Sequence, residues 1–328
     1  MVKQATLVKN IFVTSGAGEL GRVTIRQLVK RGHRVTGQVE SEEDAVTLRK
    51  LGAEAVVANP RNIAQLSAAL SKVRPEVVLN LIPQEANTLL HDGHNWQNFD
   101  LTLLPATNAL LTAAKVAGVK FLIHASSAFL YGNTHAATEE SPLKPPSGAG
   151  FTALVEAEKA IASGAKNHQI PLSLLRLGFL YGPQSRDLSL YEDSFNLRRP
   201  YYAGPANNLS NFLHFEDAVN ALVLVVEKQP AGEIFNVVDG SPVSFGEFMD
   251  TFAHYLGKPR PGHIPPAAKP LINGFIFSAQ FKVLELSTSV SNAKISQNLG
   301  WKPSYPDYKV GLEQTVQNWK GDVAKAKL

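Results

Sequence analysis

At 328 residues the chain is long enough for one large core or two fused domains, and it has no cysteine, which excludes disulfides, thiolate nucleophiles and cysteine metal sites. Hydrophobic residues make up 44% and charged residues 18%, the proportions of an ordinary soluble globular protein. The net charge of +4 comes from scattered lysines and arginines, so nucleic acid is not expected as a partner.

Lys3 and Lys9 precede a strand-like run at residues 11–14, which argues against a signal peptide and, with the missing cysteines, for a cytoplasmic location. That run enters Gly16-x-Gly18-x-x-Gly21, and a helical pattern follows over 23–31. Strand, glycine turn and helix in this order suit a dinucleotide pyrophosphate. Gly16 permits the tight turn, Gly18 lets backbone N–H groups approach the phosphates, and Gly21 lets the helix pack on the strand. The helix N-terminus adds free donors and a partial positive charge. Residues 34–39 read as a second strand, and 41–51 as an amphipathic helix opening on a capping pair, Ser41 and Asp44. Further strands are expected at 55–58, at the nearly continuous apolar run 77–82, at 121–125 and at 172–177. Helices are expected at 62–72, at 101–117 with Gly118 as C-terminal cap, and at 152–163. This alternation implies an α/β fold, a doubly wound parallel sheet with right-handed crossovers. Beyond Gly182 the pattern degrades. Residues 184–211 read as loop, 211–226 as strand then helix, 233–238 as strand, and the remainder from Ser244 as helical and turn-rich. The apolar run 270–281 falls short of the ~20 residues that span a bilayer, so no membrane partner is expected.

Several motifs follow one another in order: Pro75-Glu-Val-Val-Leu-Asn-Leu81, Ser126-Ser127-Ala-Phe-Leu-Tyr131-Gly132, Arg176-Leu-Gly-Phe-Leu-Tyr181-Gly-Pro183, Phe212-Leu-His-Phe-Glu-Asp217 and Gly300-Trp301-Lys-Pro303. Together they resemble the extended short-chain dehydrogenase/reductase family, the NAD-dependent epimerase/dehydratase group, over nearly the whole chain. The resemblance implies a dinucleotide-binding Rossmann domain at 1–182, to which 211–240 returns. A smaller C-terminal substrate lobe is implied at 183–210 and 241–328. It also implies an NAD(P)-binding oxidoreductase, epimerase or dehydratase acting on a hydroxyl- or carbonyl-bearing small molecule, in such proteins often a nucleotide sugar. Ser15, Gly16, Gly18, Glu19, Leu20 and Gly21 would form the cofactor turn. Leu81 would end the strand beside the nicotinamide ribose, and in the catalytic-serine loop Ser126 would contact the cofactor and Ser127 would be catalytic.

The departures from the family pattern are as informative. Ser15 stands where the family's turn begins with glycine, a place a serine can take if φ stays negative. The family's acid–base pair is Tyr-x-x-x-Lys, with both side chains on one helix face. Aligned on Ala157-Glu158 the two positions hold Gly150 and Leu154; aligned on the distance from Ser127 they hold Thr152 and Glu156. A literal Tyr-x-x-x-Lys at Tyr305 and Lys309 lies far from the serine loop and reads as chance. Ser127 is left as a group to orient a substrate oxygen, with Tyr131 as a candidate acid that would swing toward the site. His91, Asp92 and His94 lack a third ligand position for a metal. Glu40, at the end of the second strand, would repel a 2′-phosphate and accept from a ribose hydroxyl, which favours NAD over NADP. Asn59 would lie near the adenine. Arg198 and Arg199, before Pro200-Tyr-Tyr, could clamp a diphosphate, and Asn211 would line the substrate pocket. Three readings stay open: an atypical enzyme with another acid–base group, a silent NAD(P)-binding sensor, and a redox-neutral enzyme on the same fold. A homodimer is expected through the helices carrying Leu103, Leu104, Leu110, Leu111, Phe151, Leu154 and Val155, whose apolar positions exceed one stripe.

Overall fold

A computed structural model of the chain describes residues 7–82, 93–146, 151–196, 201–203, 207–264 and 286–326. The first half runs β1 (Asn10–Val13), α1 (Glu19–Lys30), β2 (Arg34–Val39), α2 (Glu42–Lys50), β3 (Glu54–Val57), α3 (Ile63–Val73), β4 (Val77–Asn80), α4 (Gly93–Ala117) and β5 (Phe121–Ser127). A 3-10 turn (Ala128–Tyr131), β6 (Thr134–Ala137), α5 (Phe151–Asn167), β7 (Leu172–Leu177), β8 (Phe179–Tyr181), α6 (Arg186–Asn196), β9 (Tyr201–Ala203) and β10 (Leu209–Ser210) follow. The chain continues through β11 (Phe212–His214), α7 (Phe215–Lys228), β12 (Glu233–Val237), β13 (Val243–Ser244), α8 (Phe245–Leu256), β14 (Gly262–Ile264), β15 (Thr288–Val290), α9 (Ala293–Leu299) and α10 (Tyr308–Ala326).

Seven strands form one parallel sheet in the order β12-β7-β5-β4-β1-β2-β3, the doubly wound arrangement expected. Its central strands are apolar on both faces because both faces are covered. Phe12, Val78, Leu122 and Leu174 pack into a core shared with α3, α4 and α5. Their neighbours Ile11, Val13, Val77 and Leu79 pack into a core shared with α1, α2, α7 and α9. A third core, around Phe212, Phe245, Phe248, Phe252 and Leu312, joins the C-terminal elements to α5 and α6.

Local signals set several boundaries. Ser41 caps α2, accepting from the Asp44 N–H at 3.1 Å and donating to its carboxylate at 2.7 Å. Asn62 caps α3 in the same way, accepting from the Gln65 N–H at 3.0 Å. Gly118, at φ +67°, follows α4 as the left-handed residue that ends it.

Four expectations change. The first helix starts at Glu19 and not at 23, so Glu19, Leu20 and Gly21 belong to its first turn. The segment 184–211 is not all loop: it holds α6, whose Leu188 and Phe195 are buried. The helix expected at 101–117 begins at Gly93 and tolerates Pro105 in its interior. Finally, the apolar residues taken to mark a dimer face are consumed within the chain. Leu103, Leu110, Leu111, Phe151 and Leu154 are buried, and Leu104 and Val155 are half-buried. The cause is close packing of α4 on α5, where a Cβ at Gly164 would stand 2.5 Å from a Leu111 methyl. The apolar run 270–281 lies outside the described residues. Among the described residues no helix is long and apolar enough to cross a membrane.

Candidate cofactor and active site

The chain leaves β1, builds the sheet outward to β3 and then returns to β4 on the other side of β1. The carboxyl ends of β1 and β4 therefore flank the crevice where open α/β sheets bind ligands. Residues 14–18 form a tight turn there. Ser15 adopts φ +49°, against the expectation that a serine would keep φ negative. The strained backbone is held from the next strand: the Ser15 N–H donates to Gln38 Oε1 at 3.1 Å, and the Gly16 N–H donates to the Gln38 carbonyl at 2.8 Å. Gln38 Nε2 donates in turn to the Ala58 carbonyl at 2.7 Å, so one buried amide ties the turn to β2 and to the end of β3.

Gly21 permits the helix to start where it does. A Cβ there would stand 2.3 Å from the Ser15 carbonyl oxygen. Gly16 is similarly confined, 3.1 Å from the Gly37 Cα. Gly18 is the exposed N-cap of α1, and no side chain caps the helix. The first-turn N–H groups are thus left for an external acceptor, with the helix dipole behind them.

A buried polar row crosses the sheet below this turn. Thr14 Oγ1 accepts from the Leu81 N–H at 2.9 Å and donates to Asn80 Oδ1 at 2.8 Å. Asn80 Nδ2 donates to His124 Nδ1 at 2.9 Å, its partner across the β4–β5 register. Burial pushes the His124 pKa down to about 4, although Glu158 opposes the shift, so its imidazole stays neutral. Ser126, Arg176 and Asn236 are direct neighbours across β5, β7 and β12. Ser126 donates to Glu158 Oε2 at 2.6 Å, and Arg176 Nε donates to Glu158 Oε1 at 3.2 Å, the two charged side chains each only 6% exposed. Arg176 Nη1 donates to Tyr131 Oη at 2.7 Å, which donates to Asn236 Oδ1 at 2.8 Å. The Asn236 N–H ends the row on Glu139 Oε1 at 2.8 Å.

This row corrects two expected roles. Tyr131 is 1% exposed and uses its hydroxyl as both donor and acceptor, so it is not an acid free to swing into the site. Burial raises its pKa, with Arg176 opposing, which keeps the phenol protonated. The Ser126 hydroxyl serves Glu158 and is turned away from a cofactor role. Ser127, also 1% exposed, points elsewhere: its Oγ accepts from the Phe129 N–H at 3.2 Å, capping the 3-10 turn, and among the described residues it is not seen to donate.

Glu158 also fixes which face of α5 is turned inward. Residues four apart share a helix face, and Leu154 is buried beside Phe151 and Ala157 while Thr152 and Glu156 are exposed. Leu154 therefore lies on the inward face and Thr152 and Glu156 on the outer one, and Gly150 lies outside the described residues. Tyr305 and Lys309 sit elsewhere, Tyr305 donating to Glu216 and tilted at 37° against the His214 ring with centroids 3.9 Å apart.

The remaining candidates divide. Leu81 is buried at the end of β4, its N–H held by Thr14. Glu40 is exposed at the end of β2, free to meet a ribose. Asn59 borders an open depression of about 580 Å³, also lined by Arg61, Asn62, Ile63 and Ala64. Asn211 is buried and accepts from the Val290 N–H at 2.7 Å, so it joins β11 to β15 and does not present its carbonyl to a substrate. Arg198, Arg199, His91 and Asp92 lie outside the described residues. Among the described residues no cluster of ligating side chains could hold a metal. The roles of Gln38, His124 and Glu158 were not legible in the sequence; the side-by-side placement of polar residues on buried strands was the available signal.

The profile of the NAD dependent epimerase/dehydratase family matches residues 11–238. A 3-diazoavenalumate denitrifying reductase of Streptomyces sp is 29% identical over 315 residues, covering 92% of this chain and 98% of that protein. A 4-hydroxy-2-methyl-3-oxo-4-farnesyl-3,4-dihydroquinoline-1-oxide ketoreductase of Stigmatella aurantiaca is 24% identical, covering 94% and 89%. Among solved structures, a UDP-glucose 4-epimerase of Thermotoga maritima with UDP-glucose superposes with a TM-score of 0.78 at 19% identity, covering 96% of this chain and 99% of that one. A dTDP-glucose 4,6-dehydratase of Streptomyces venezuelae with NAD and TYD bound gives 0.79 at 19% identity, covering 95% and 97%. At such identities the structures establish the fold.

Two outcomes follow from the buried row. Replacing Glu158 by leucine strands the Arg176 guanidinium and should cost about 3–5 kcal/mol in urea denaturation, while the Glu158→Leu, Arg176→Met double variant should recover much of that loss. A double variant as unstable as the single one would show that the pair is not what holds this region. His124 titrates near its ordinary value when unfolded and near 4 when folded, so stability present above about pH 6.5 is lost as pH falls toward 4. His124→Asn should therefore flatten the fall in Tm between pH 7 and pH 5; an unchanged slope would remove His124 as its cause.

Proposed function

The chain belongs to the NAD dependent epimerase/dehydratase family, and from that premise we propose that it binds NAD at the N-terminus of α1. There it acts as an oxidoreductase, epimerase or dehydratase-type enzyme on a small molecule bearing a hydroxyl or carbonyl. The observation that carries this reading is the uncapped first turn of α1 behind Gly18, which leaves backbone donors for a pyrophosphate. Glu40 would accept from a ribose hydroxyl and repel a 2′-phosphate, which favours NAD over NADP. When bound, the cofactor supplies a hydride donor or acceptor at its nicotinamide.

The chain's own contribution differs from the family pattern. With Leu154 buried on α5 and Tyr131 fixed by Arg176 and Asn236, neither supplies the acid–base function. Ser127 keeps one proton to donate, enough to polarise a substrate carbonyl or orient a hydroxyl. The proton itself must come from substrate, solvent or a residue on another element. Loss of a positioned acid–base group costs ~10²–10⁴ in rate, so turnover is expected to be slow on ordinary alcohols and sugars. Residues 183–210 and 241–328 form the substrate lobe in this reading, and the nucleotide sugars of the structural relatives are the first class to try. A cytoplasmic homodimer completes it; with the apolar residues of α5 packed inside the chain, the exposed apolar groups left to support it are Leu101 and Val116 of α4. The specific observation favouring a silent NAD-binding protein is the same fixed Tyr131 and buried Leu154.

Titration with NAD, NADH, NADP and NADPH, followed by a nicotinamide absorbance scan against pooled sugar nucleotides and carbonyl compounds, separates these outcomes. NAD(H) should bind, and Gly21→Ala should abolish binding, because its Cβ would push the Ser15 carbonyl out of place. Binding with turnover supports the enzyme; binding with none supports the silent protein. No binding by any of the four would overturn the cofactor assignment.

A further inference from the structure

Glu19 stands at an unusual place for a carboxylate. It is the first residue of α1, half-buried, on the turn whose free N–H groups suit an anion. Its Oε1 accepts from the Arg186 N–H at 3.1 Å, a contact spanning 167 residues of sequence. Arg186 begins α6, so the carboxylate fills one of the donors that a helix N-terminus leaves open. A second donor of that first turn is met from within: Ser185 Oγ accepts from the Leu188 N–H at 3.2 Å. Burial pushes the Glu19 pKa up, while the Arg186 N–H and the Arg22 and Arg186 guanidinium groups pull it down.

The far side of α6 belongs to the C-terminal core. Leu188 and Phe195 are buried there, the Phe195 ring meeting Phe252 edge-on at 6.2 Å. Just before the helix, the Pro183 carbonyl accepts from Trp319 Nε1 of α10 at 2.9 Å. α6 is thus built into the C-terminal elements, and its first residue is bonded to the phosphate-binding turn.

We propose that Glu19 is a positioning residue that fastens the first turn of α6 to the glycine turn, so that filling the turn with a dinucleotide and the placement of α6 are coupled. The proposal rests on the reading that the α1 N-terminus takes the pyrophosphate. A pyrophosphate bound there places negative charge on the same helical turn as the Glu19 carboxylate. The two repel, and the groups that offset the repulsion are those of Arg186 on α6 and Arg22 on α1. Cofactor entry therefore strengthens the demand on Arg186 and draws on the one residue that opens α6.

Hydrogen exchange on the full chain, with and without NAD, tests this in wild type, Glu19→Ala and Glu19→Gln. Without NAD, the first turn of α6 should exchange about tenfold faster in Glu19→Ala, and Glu19→Gln, whose amide oxygen can still accept, should restore protection. With NAD, wild type should gain protection both at residues 14–22 and in α6, while Glu19→Ala keeps the first response and loses the second. Glu19→Gln should also bind NAD several-fold tighter, because it keeps the hydrogen bond and removes the repelling charge. Exchange of α6 unchanged in Glu19→Ala, or a full NAD response there, would overturn the proposal. Wild type showing no protection at 14–22 would instead overturn the cofactor reading, and the coupling with it, while the measurement without NAD would still report the fastening by itself.

Discussion

A guanidinium buried inside a parallel sheet must have nearly all its hydrogen-bonding capacity met, and the organisation around Arg176 follows from that requirement. Glu158 comes from α5, Tyr131 from the 3-10 turn after β5, and Tyr131 in turn is anchored on Asn236 of β12. These partners fix three things at once: the rotation of α5, the path of the chain after β5, and the docking of the last strand. Because Glu158 faces inward, Leu154 does too, and Thr152 and Glu156 face solvent. Because Tyr131 is a hydrogen-bond relay within the row, it is lost to chemistry. One buried charge thereby decides the partners of Ser126 and Tyr131 near the end of β5, while Ser127, equally buried, caps the 3-10 turn.

The cofactor turn is governed by a different constraint, the closeness of backbone to backbone. Gly21 meets the Ser15 carbonyl, and Gly16 lies against Gly37 of the adjacent strand, so neither position has room for a side chain. Ser15 then carries the left-handed φ that the geometry imposes, and the Gln38 amide offsets some of its cost from β2. The result is a helix N-terminus without an internal side-chain cap, built from residues that pack tightly, with the Glu19 carboxylate engaged by the Arg186 N–H.

These two constraints meet in what the protein can do. The glycine turn of the family is present as geometry, while the side chains of Tyr131, Glu158 and Arg176 are committed to one another in a buried row. The bond from Glu19 to α6 adds a route by which the dinucleotide side and the C-terminal elements are held in a common arrangement.

The fold class was readable in the sequence because strand, glycine turn and helix repeat with periods that local residues set: apolar runs for strands covered on both faces, Ser41 as a cap, Gly118 as a stop. All seven strands of the main sheet were legible for that reason. The glycine turn was legible too, since its demands are steric and local. α6 was hidden, because its helix is stabilised by burying Leu188 and Phe195 under a distant core and by a cap that comes from Glu19. The roles of Tyr131, Ser126 and Asn211 were likewise out of reach. Whether a hydroxyl or amide faces a ligand or a neighbour depends on which residues lie beside it in the sheet. Register across strands 50 or more residues apart sets that, and it is decided only when the whole polar row is buried together.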